Sequence, residues 1–341
     1  MTFAITNHCN VNCTTCSFPQ LPPKKKKHIS LKDAQFAIDF FEKNGVRMIS
    51  ITGGEPLLHP DFISICDYIS KKNMMISYIS TSGALITDTI ASKLSKMNVN
   101  IVGISIDIMD EKGIGITRKM NIKKTATNAK KLLDKYKIET YAGFLLSQPT
   151  RNIHEVTNTA RSLGFKKIIF SYPQTNMDSS YLAFQNSDDL KGDVKFWENI
   201  VVDILKEKRN NINVDIFNTR VNLNELLSFY KGNGYTFECP AGRSQFYLDW
   251  DLVLYRCLNS DEKYGNLRDI KNLNFKYKSC SACSQQAHRD YASFYHAFEV
   301  VKSLEVALKD LNGKELINIL KDKRNRKSMN SLIEGYLGGF V

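Results

Sequence analysis

With 341 residues, 43% of them hydrophobic and 24% charged, the chain has the composition of an ordinary globular protein with room for a large α/β domain and a smaller appendage, not of a disordered one. No apolar run approaches the roughly 20 residues that span a bilayer, and the opening turns polar at Asn7, before a signal-peptide core could form. The formal net charge is +12. Eight cysteines without an export signal point to metal or redox chemistry in a reducing cytoplasm, rather than to disulfides.

Up to about residue 210, short apolar runs alternate with amphipathic stretches. Residues 2–6 read as a strand, and 30–44 as a helix whose Ser30 and Asp33 stand at capping positions. A strand is predicted over 48–52, a helix with proline in its first turn over 60–72, and a strand over 75–80. The rhythm continues with a helix at 87–97, a strand at 100–107, a helix at 122–136 and a strand at 139–146. Next come a helix at 152–163, capped by Asn152 and Glu155, and a sixth strand at 167–171.

This alternation implies right-handed βαβ units and a parallel sheet. Six units fit an incomplete (β/α)6 TIM-like barrel, in which chemistry is expected where strands end and βα loops begin. Beyond it, 174–191 reads as a loop or lid and 193–209 as a helix. The stretch from 237 to about 286 holds four cysteines and reads as a small separate module, and 292–333 reads as helical and basic. The expected division is a barrel over 1–210, a cysteine-rich module over 211–290 and a helical tail over 291–341.

The strongest local signal is Cys9-Asn-Val-Asn-Cys13-Thr-Thr-Cys16, directly after the first predicted strand. Three thiolates spaced in this way can close around one iron–sulfur cube and leave one iron without a protein ligand, an open position at which substrate can bind. A zinc knuckle is the plainer alternative for the triplet alone. Gly53-Gly54-Glu55-Pro56 follows the second predicted strand; its glycines let backbone approach a partner closely, and its acid can accept from an ammonium.

Taken together, the two motifs make the chain resemble the radical S-adenosylmethionine (radical SAM) superfamily over residues 1 to about 285. The resemblance implies a [4Fe–4S] cluster on Cys9, Cys13 and Cys16, and binding of the SAM amino group by Gly53, Gly54, Glu55 and Pro56. Thr81-Ser82-Gly83 is similar to the ribose-side loop of the family, with Ser82 where asparagine is usual. Ser105 and Asp107 end the fourth predicted strand on one face, the face that points toward SAM in the family; helix capping is the other reading of this pair. Arg118 stands where relatives carry an arginine that meets the SAM carboxylate, and Ser147 ends the fifth strand.

The implied chemistry is reductive cleavage of SAM to a 5′-deoxyadenosyl radical that takes a hydrogen atom from substrate. It needs a reducing donor such as flavodoxin or ferredoxin.

Cys239, Cys257, Cys280 and Cys283 form the second set. The hairpin-like stretch between the first two, followed by Cys280-Ser-Ala-Cys283, resembles the Twitch form of the SPASM extension, which implies an auxiliary [4Fe–4S] cluster. Relatives carry glycine five residues before the second ligand, where this chain has Leu252. Four thiolates also suit structural zinc. A cluster closed by four ligands would exchange electrons with substrate rather than bind it, which favours a net oxidation or radical bond formation.

The remaining groups read more plainly. Cys66 shares a helical stripe with Phe62, Ile65 and Ile69 and reads as a core residue. His8 and His59 read as loop residues, and His288 as a substitute ligand in reserve. Tyr172, Gln174, Arg243 and Tyr247 are substrate-facing by position alone. Lysines at 24–27, on the helix at 122–136 and at 321–327 read as a solvated basic surface. An anionic substrate, a nucleic acid or a membrane surface is the rival reading of that charge, and a zinc-binding scaffold without catalysis is the rival from outside enzymology.

Overall fold

Seven parallel strands line up in chain order in the computed structural model, which describes all residues except 174–187, 211–213, 282, 284–285 and 338–341, and no side chains at 286–288. They are β1 (Thr2–Ala4), β2 (Met48–Thr52), β3 (Met75–Thr81), β4 (Val102–Ile106), β5 (Thr140–Leu145), β6 (Lys167–Ser171) and β7 (Asp215–Ile216). The helices between them are α1 (Leu31–Lys43), α2 (Phe62–Lys71), α3 (Asp88–Leu94), α4 (Ile122–Lys135), α5 (Ile153–Ser162) and α6 (Val194–Asn210). Ser30 and Asn152 cap α1 and α5 as their sequences lead one to expect, accepting from the backbone N–H of Asp33 and Glu155. Helix α2 starts two residues later than its proline implies, because Pro56–Leu58 forms a separate 3-10 turn and Asp61 takes the N-cap.

Strand alternation sorts the side chains into two layers. Phe3, Ile51, Ile79, Ile104, Phe144 and Phe170 face outward into one core with Ile38 and Phe41 of α1, Ile65 of α2, Leu133 of α4 and Val156 of α5. The inner face is different. At its base Tyr78 stacks on Tyr141 (5.4 Å between centroids) beside Ile101, Ile169 and Phe217. Above that floor the register aligns Ser80 with Gly103, Ser105 with Gly143 and Leu145 with Ser171. The Tyr78 ring packs directly against Gly103, and the C-terminal ends of β1 to β4 lead into the motifs at Cys9, Gly53, Thr81 and Asp107.

The barrel is open. Beyond β7 comes α7 (Arg220–Tyr230), which the sequence reading missed. The chain then returns to the other edge, where β8 (Tyr247–Leu248) pairs parallel with β1. Strand β9 (Val253–Tyr255) forms an antiparallel hairpin with β8, and β10 (Lys263–Asn266) extends it. The cysteine-rich stretch therefore continues the sheet. At the hairpin turn Leu252 takes φ +61°, the left-handed conformation usual for glycine, while its side chain is buried in the core.

The tail folds as α8 (Gln286–Lys309), α9 (Gly313–Lys321) and α10 (Lys323–Leu337). Buried polar contacts tie it to α7: Asn222 donates to Asp290, Ser293 to Asn222, and Ser331 bonds both Ser293 and Thr219. Among the described residues no helix is long and apolar enough to cross a membrane.

Candidate functional site

The cysteine loop is held from two sides. The backbone N–H of Val11 points at Cys9 Sγ (3.5 Å), and that of Thr14, between Cys13 and Cys16, donates to Thr117 O (2.9 Å). Arg118 Nη1 lies 3.8 Å from Cys13 Sγ. All three thiols are half-buried and close enough to interact electrostatically. Burial pushes Cys9 up to about 11 and Cys16 up to about 12. It raises Cys13 too, against the opposing pull of the Arg118 guanidinium. As free thiols these groups are protonated at neutral pH, so metal binding must release their protons.

Gly53 and Gly54 pack against the backbone that leads into this loop. Gly54 N donates to Thr6 O (2.9 Å) and Glu55 N to His8 O (2.7 Å). A Cβ on Gly53 would stand 2.3 Å from Thr6 O, and one on Gly54 2.1 Å from His8 O. The close approach expected of these glycines is thus to the chain itself.

Glu55 links neighbouring loops. Its carboxylate is buried and accepts from Leu57 N, Thr81 Oγ1, Ser82 N and Ser82 Oγ at 2.7 to 3.2 Å. Burial pushes its pKa up while those four donors pull it down. Ser82, expected on the ribose side, is one of the groups Glu55 holds. The acid joins the β2 and β3 loops to each other.

Asp107 lies one residue past β4 and is also buried. Oδ2 accepts from Thr117 N (2.5 Å), Thr117 Oγ1 (2.8 Å) and Arg118 N (3.1 Å). It does not cap α4, which Asn121 caps. It pins the loop that brings Arg118 to Cys13 and Thr117 to Thr14. Ser105 stays half-buried on the inner face, and Ser147 is engaged with Thr150 Oγ1.

A family model described as the Radical SAM superfamily matches residues 3–163, the span that contains every contact just described. Residues 3–163 are a radical SAM domain. Enzymes of this superfamily use a [4Fe–4S] cluster and SAM. The donor set here fits such a cluster: three half-buried thiols on one short loop, an N–H aimed at one sulfur and a guanidinium beside another.

Among curated proteins the chain is similar to the antilisterial bacteriocin subtilosin biosynthesis protein AlbA of Bacillus subtilis, 27% identical over 173 residues. That match spans 50% of this chain and 38% of AlbA. Among solved structures, anSMEcpe with bound AdoMet superposes with a TM-score of 0.60 at 21% identity, covering 79% of this chain and 77% of that one. SuiB of Streptococcus suis bound to precursor peptide SuiA gives 0.58 at 15%, covering 80% and 63%. At these identities the likeness is one of fold.

The second cysteine set lies beyond the matched span. Cys239, Cys257 and Cys283 are buried and Cys280 is half-buried. The Cys257 thiol is pushed up to about 12, chiefly by burial, with the other three thiols close enough to add to the shift. Tyr277 Oη donates to Cys239 O (2.9 Å) and Tyr235 Oη to Cys283 O (3.1 Å). Among the described residues no three His, Cys, Asp or Glu side chains converge as ligands of a single ion. The ligands of a cube each take a different iron, and four thiols gathered from three segments fit that demand.

The other candidates lie apart from the cysteine loop in the sequence and differ in burial. Cys66 is wholly buried in α2, and burial raises its pKa. Tyr247 is buried against Ala4 and Tyr255, and Tyr172 is buried where Asn218 Nδ2 donates to its hydroxyl (3.4 Å). Arg243 lies over the Tyr295 ring. Gln174 and the His288 side chain lie outside the described residues. His59 Nε2 bonds Ile29 O (2.7 Å) while its Nδ1 accepts from Asp61 N (3.0 Å).

His28 packs between His8 and His59. Burial lowers its pKa to about 4, with the two neighbouring imidazoles adding to the shift. Between pH 6.5 and 4 the unfolded chain therefore binds a proton at this ring that the folded chain refuses, so stability is full above the window and falls as pH drops through it. Melting temperature is expected to fall between pH 7.5 and pH 5, and to fall less in His28→Phe. An equal drop in both proteins would rule His28 out as the cause.

Proposed function

We propose that this chain is a radical SAM enzyme that abstracts a hydrogen atom from a peptide and completes a net oxidation or radical bond formation. The observation that carries the reading is the convergence of two βα loops on the cysteine loop: Gly54 and Glu55 after β2 on the backbone that leads into it, and Thr117 and Arg118 after β4 on Thr14 and Cys13. When bound, the cluster and SAM together supply the 5′-deoxyadenosyl radical.

The chain's own part is placement. Cys9, Cys13 and Cys16 would hold three irons and leave the fourth for SAM. Gly53, Gly54 and Pro56 would shape the methionine side, with Ser82 and Ser105 toward the rest of the molecule and Arg118 toward its carboxylate. Glu55 and Asp107 would fix the loops that carry these groups. Cys239, Cys257, Cys280 and Cys283 would hold an auxiliary [4Fe–4S] cluster in a module over 211–290, with residues 1–210 as the barrel and 291–341 as a helical tail. A peptide substrate is supported by AlbA, named for bacteriocin biosynthesis, and by SuiB, solved with a precursor peptide. A small reducing protein of the flavodoxin or ferredoxin kind would deliver the electron.

Anaerobic reconstitution with iron and sulfide, followed by SAM and dithionite, tests this. About eight irons are expected in the wild type, and about four in Cys13→Ala and in Cys280→Ala/Cys283→Ala. Formation of 5′-deoxyadenosine should vanish only in the first variant. Zinc in place of the second four irons would remove the argument for net oxidation, and no iron at all would end the radical reading.

A further inference from the structure

Arg256 directly precedes Cys257 and is 8% exposed, yet nothing in the site as described so far uses it. Its guanidinium reaches three segments. Nε donates to Ala241 O (3.4 Å), two residues after Cys239. Nη2 donates to Lys278 O, two residues before Cys280. Nη1 meets Glu262 Oε2 at 3.3 Å. One side chain thus ties together the backbone that bears Cys239, Cys257 and Cys280. Only the fork of a guanidinium can spread donors this way; an ammonium is a point charge on a flexible stem.

The packing leaves deliberate space for that stem. Gly242, at φ +82°, would place a Cβ 3.1 Å from Arg256 Cγ and 2.7 Å from Tyr264 Oη, so glycine is needed there on both counts. Arg289 stands in a like relation to the fourth ligand, Cys283. It is 6% exposed, donates from Nη1 to Phe237 O (3.2 Å) and lies 4.1 Å over the ring of Tyr235, whose hydroxyl bonds Cys283 O.

Charge is the second half of the argument. Arg256 is close enough to Cys280 for the two to interact electrostatically. Its one carboxylate partner, Glu262, has a side chain 35% exposed and also faces Lys278 at 3.8 Å. The acid is partly solvated and shared, so the buried cation is only partly offset. Four thiolates on a cube leave a net negative charge that grows on reduction, and net charge nearby is one of the levers on cluster potential. A fixed positive charge favours the reduced form.

We infer that Arg256 is the positioning residue of the auxiliary site, stapling three of its ligand segments and raising the reduction potential of the cluster they hold. This rests on the auxiliary-cluster reading above. The test uses full-length protein in a Cys13→Ala background, so that only the auxiliary cluster contributes to iron content and to an EPR-monitored redox titration. Arg256→Gln is expected to lower the reduced-to-oxidised ratio at a fixed potential about tenfold, which is about 59 mV for one electron. Arg256→Lys keeps the charge and loses the fork, so it should load less iron while the loaded fraction keeps its midpoint.

Glu262→Gln leaves both carbonyl contacts of Arg256 in place and unmasks its charge, so its midpoint should move in the positive direction. That variant decides the matter even if Arg256→Gln loads nothing. Unshifted midpoints in Arg256→Gln and Glu262→Gln, in whichever of these two load, would overturn the inference. A Cys13→Ala background that holds no four-iron cluster would instead overturn the auxiliary-cluster reading itself.

Discussion

Gly54→Ala is expected to empty the cysteine loop of its cluster although no cysteine is touched. The added Cβ would lie 2.1 Å from His8 O, a backbone atom that cannot swing aside as a side-chain tip would. Relief requires moving either the β2 loop or residues 6–8, which are joined by the Gly54–Thr6 and Glu55–His8 hydrogen bonds. Cys9 follows His8 directly, so the strain passes into the first ligand. Overpacking of this kind costs about 1–3 kcal/mol, enough to displace a loop without unfolding a domain.

Iron after reconstitution should fall by about four, to the auxiliary cluster alone. Cleavage of SAM should fall at least ~100-fold, the scale on which a displacement of about 1 Å acts. Gly313→Ala is the control, since a Cβ there meets nothing within 4 Å and α9 is far along the chain from the site. A Gly54→Ala protein that loads and cleaves like the wild type would show that the loop tolerates the shift, and that the glycines have another purpose.

The glycine result bears on what a sequence can reveal. The spacing of Cys9, Cys13 and Cys16 and the order of strand, motif and helix are local, and they were legible: β2 and β6 fall where the apolar runs put them, and Ser30 and Asn152 cap their helices. What a carboxylate bonds to is not local. Glu55 lies 27 residues from Ser82, and its partner depends on the register between β2 and β3, which no spacing along the chain encodes. Read alone, an acid beside two glycines suggests a ligand for an ammonium; the fold adds that it is a strut between two loops.

The same limit hid β8. Its pairing with β1 joins residues more than two hundred positions apart, so a two-residue strand looked like part of a separate module. Strand β7 is as short, too brief to show any period. Leu252 shows packing outweighing propensity. At this position, where the resemblance implies glycine, the turn keeps the left-handed backbone with the leucine side chain buried in the core. Burial of a leucine contributes about 1.5–3 kcal/mol against a left-handed penalty of about 1–2 kcal/mol, so propensity yields to packing there.

Asp107 gives the sharpest separation between holding a cluster and using it. Removing its carboxylate in Asp107→Ala would strip the acceptor from Thr117 N, Thr117 Oγ1 and Arg118 N at once. Each buried donor left unpaired costs about 1–3 kcal/mol, and the loop has an inexpensive escape in turning those groups toward water. Arg118 would then leave Cys13, and Thr117 O would release Thr14 N. The cysteines themselves, anchored from the other side by Gly54 and Glu55, should still load.

The expected pattern for Asp107→Ala is therefore an iron content near that of the wild type, with 5′-deoxyadenosine formation down about 100-fold and KM for SAM raised. Asp107→Asn keeps an oxygen able to accept from the two backbone donors and should lose distinctly less. Arg118→Ala ought to reproduce most of the KM effect, because in this scheme Asp107 acts on SAM only through the loop that carries Arg118. If Asp107→Ala instead loses its iron together with its activity, the Thr117–Thr14 contact matters more to the cluster than the glycine contacts do. If neither iron nor turnover changes, the loop beyond β4 is not what orients SAM.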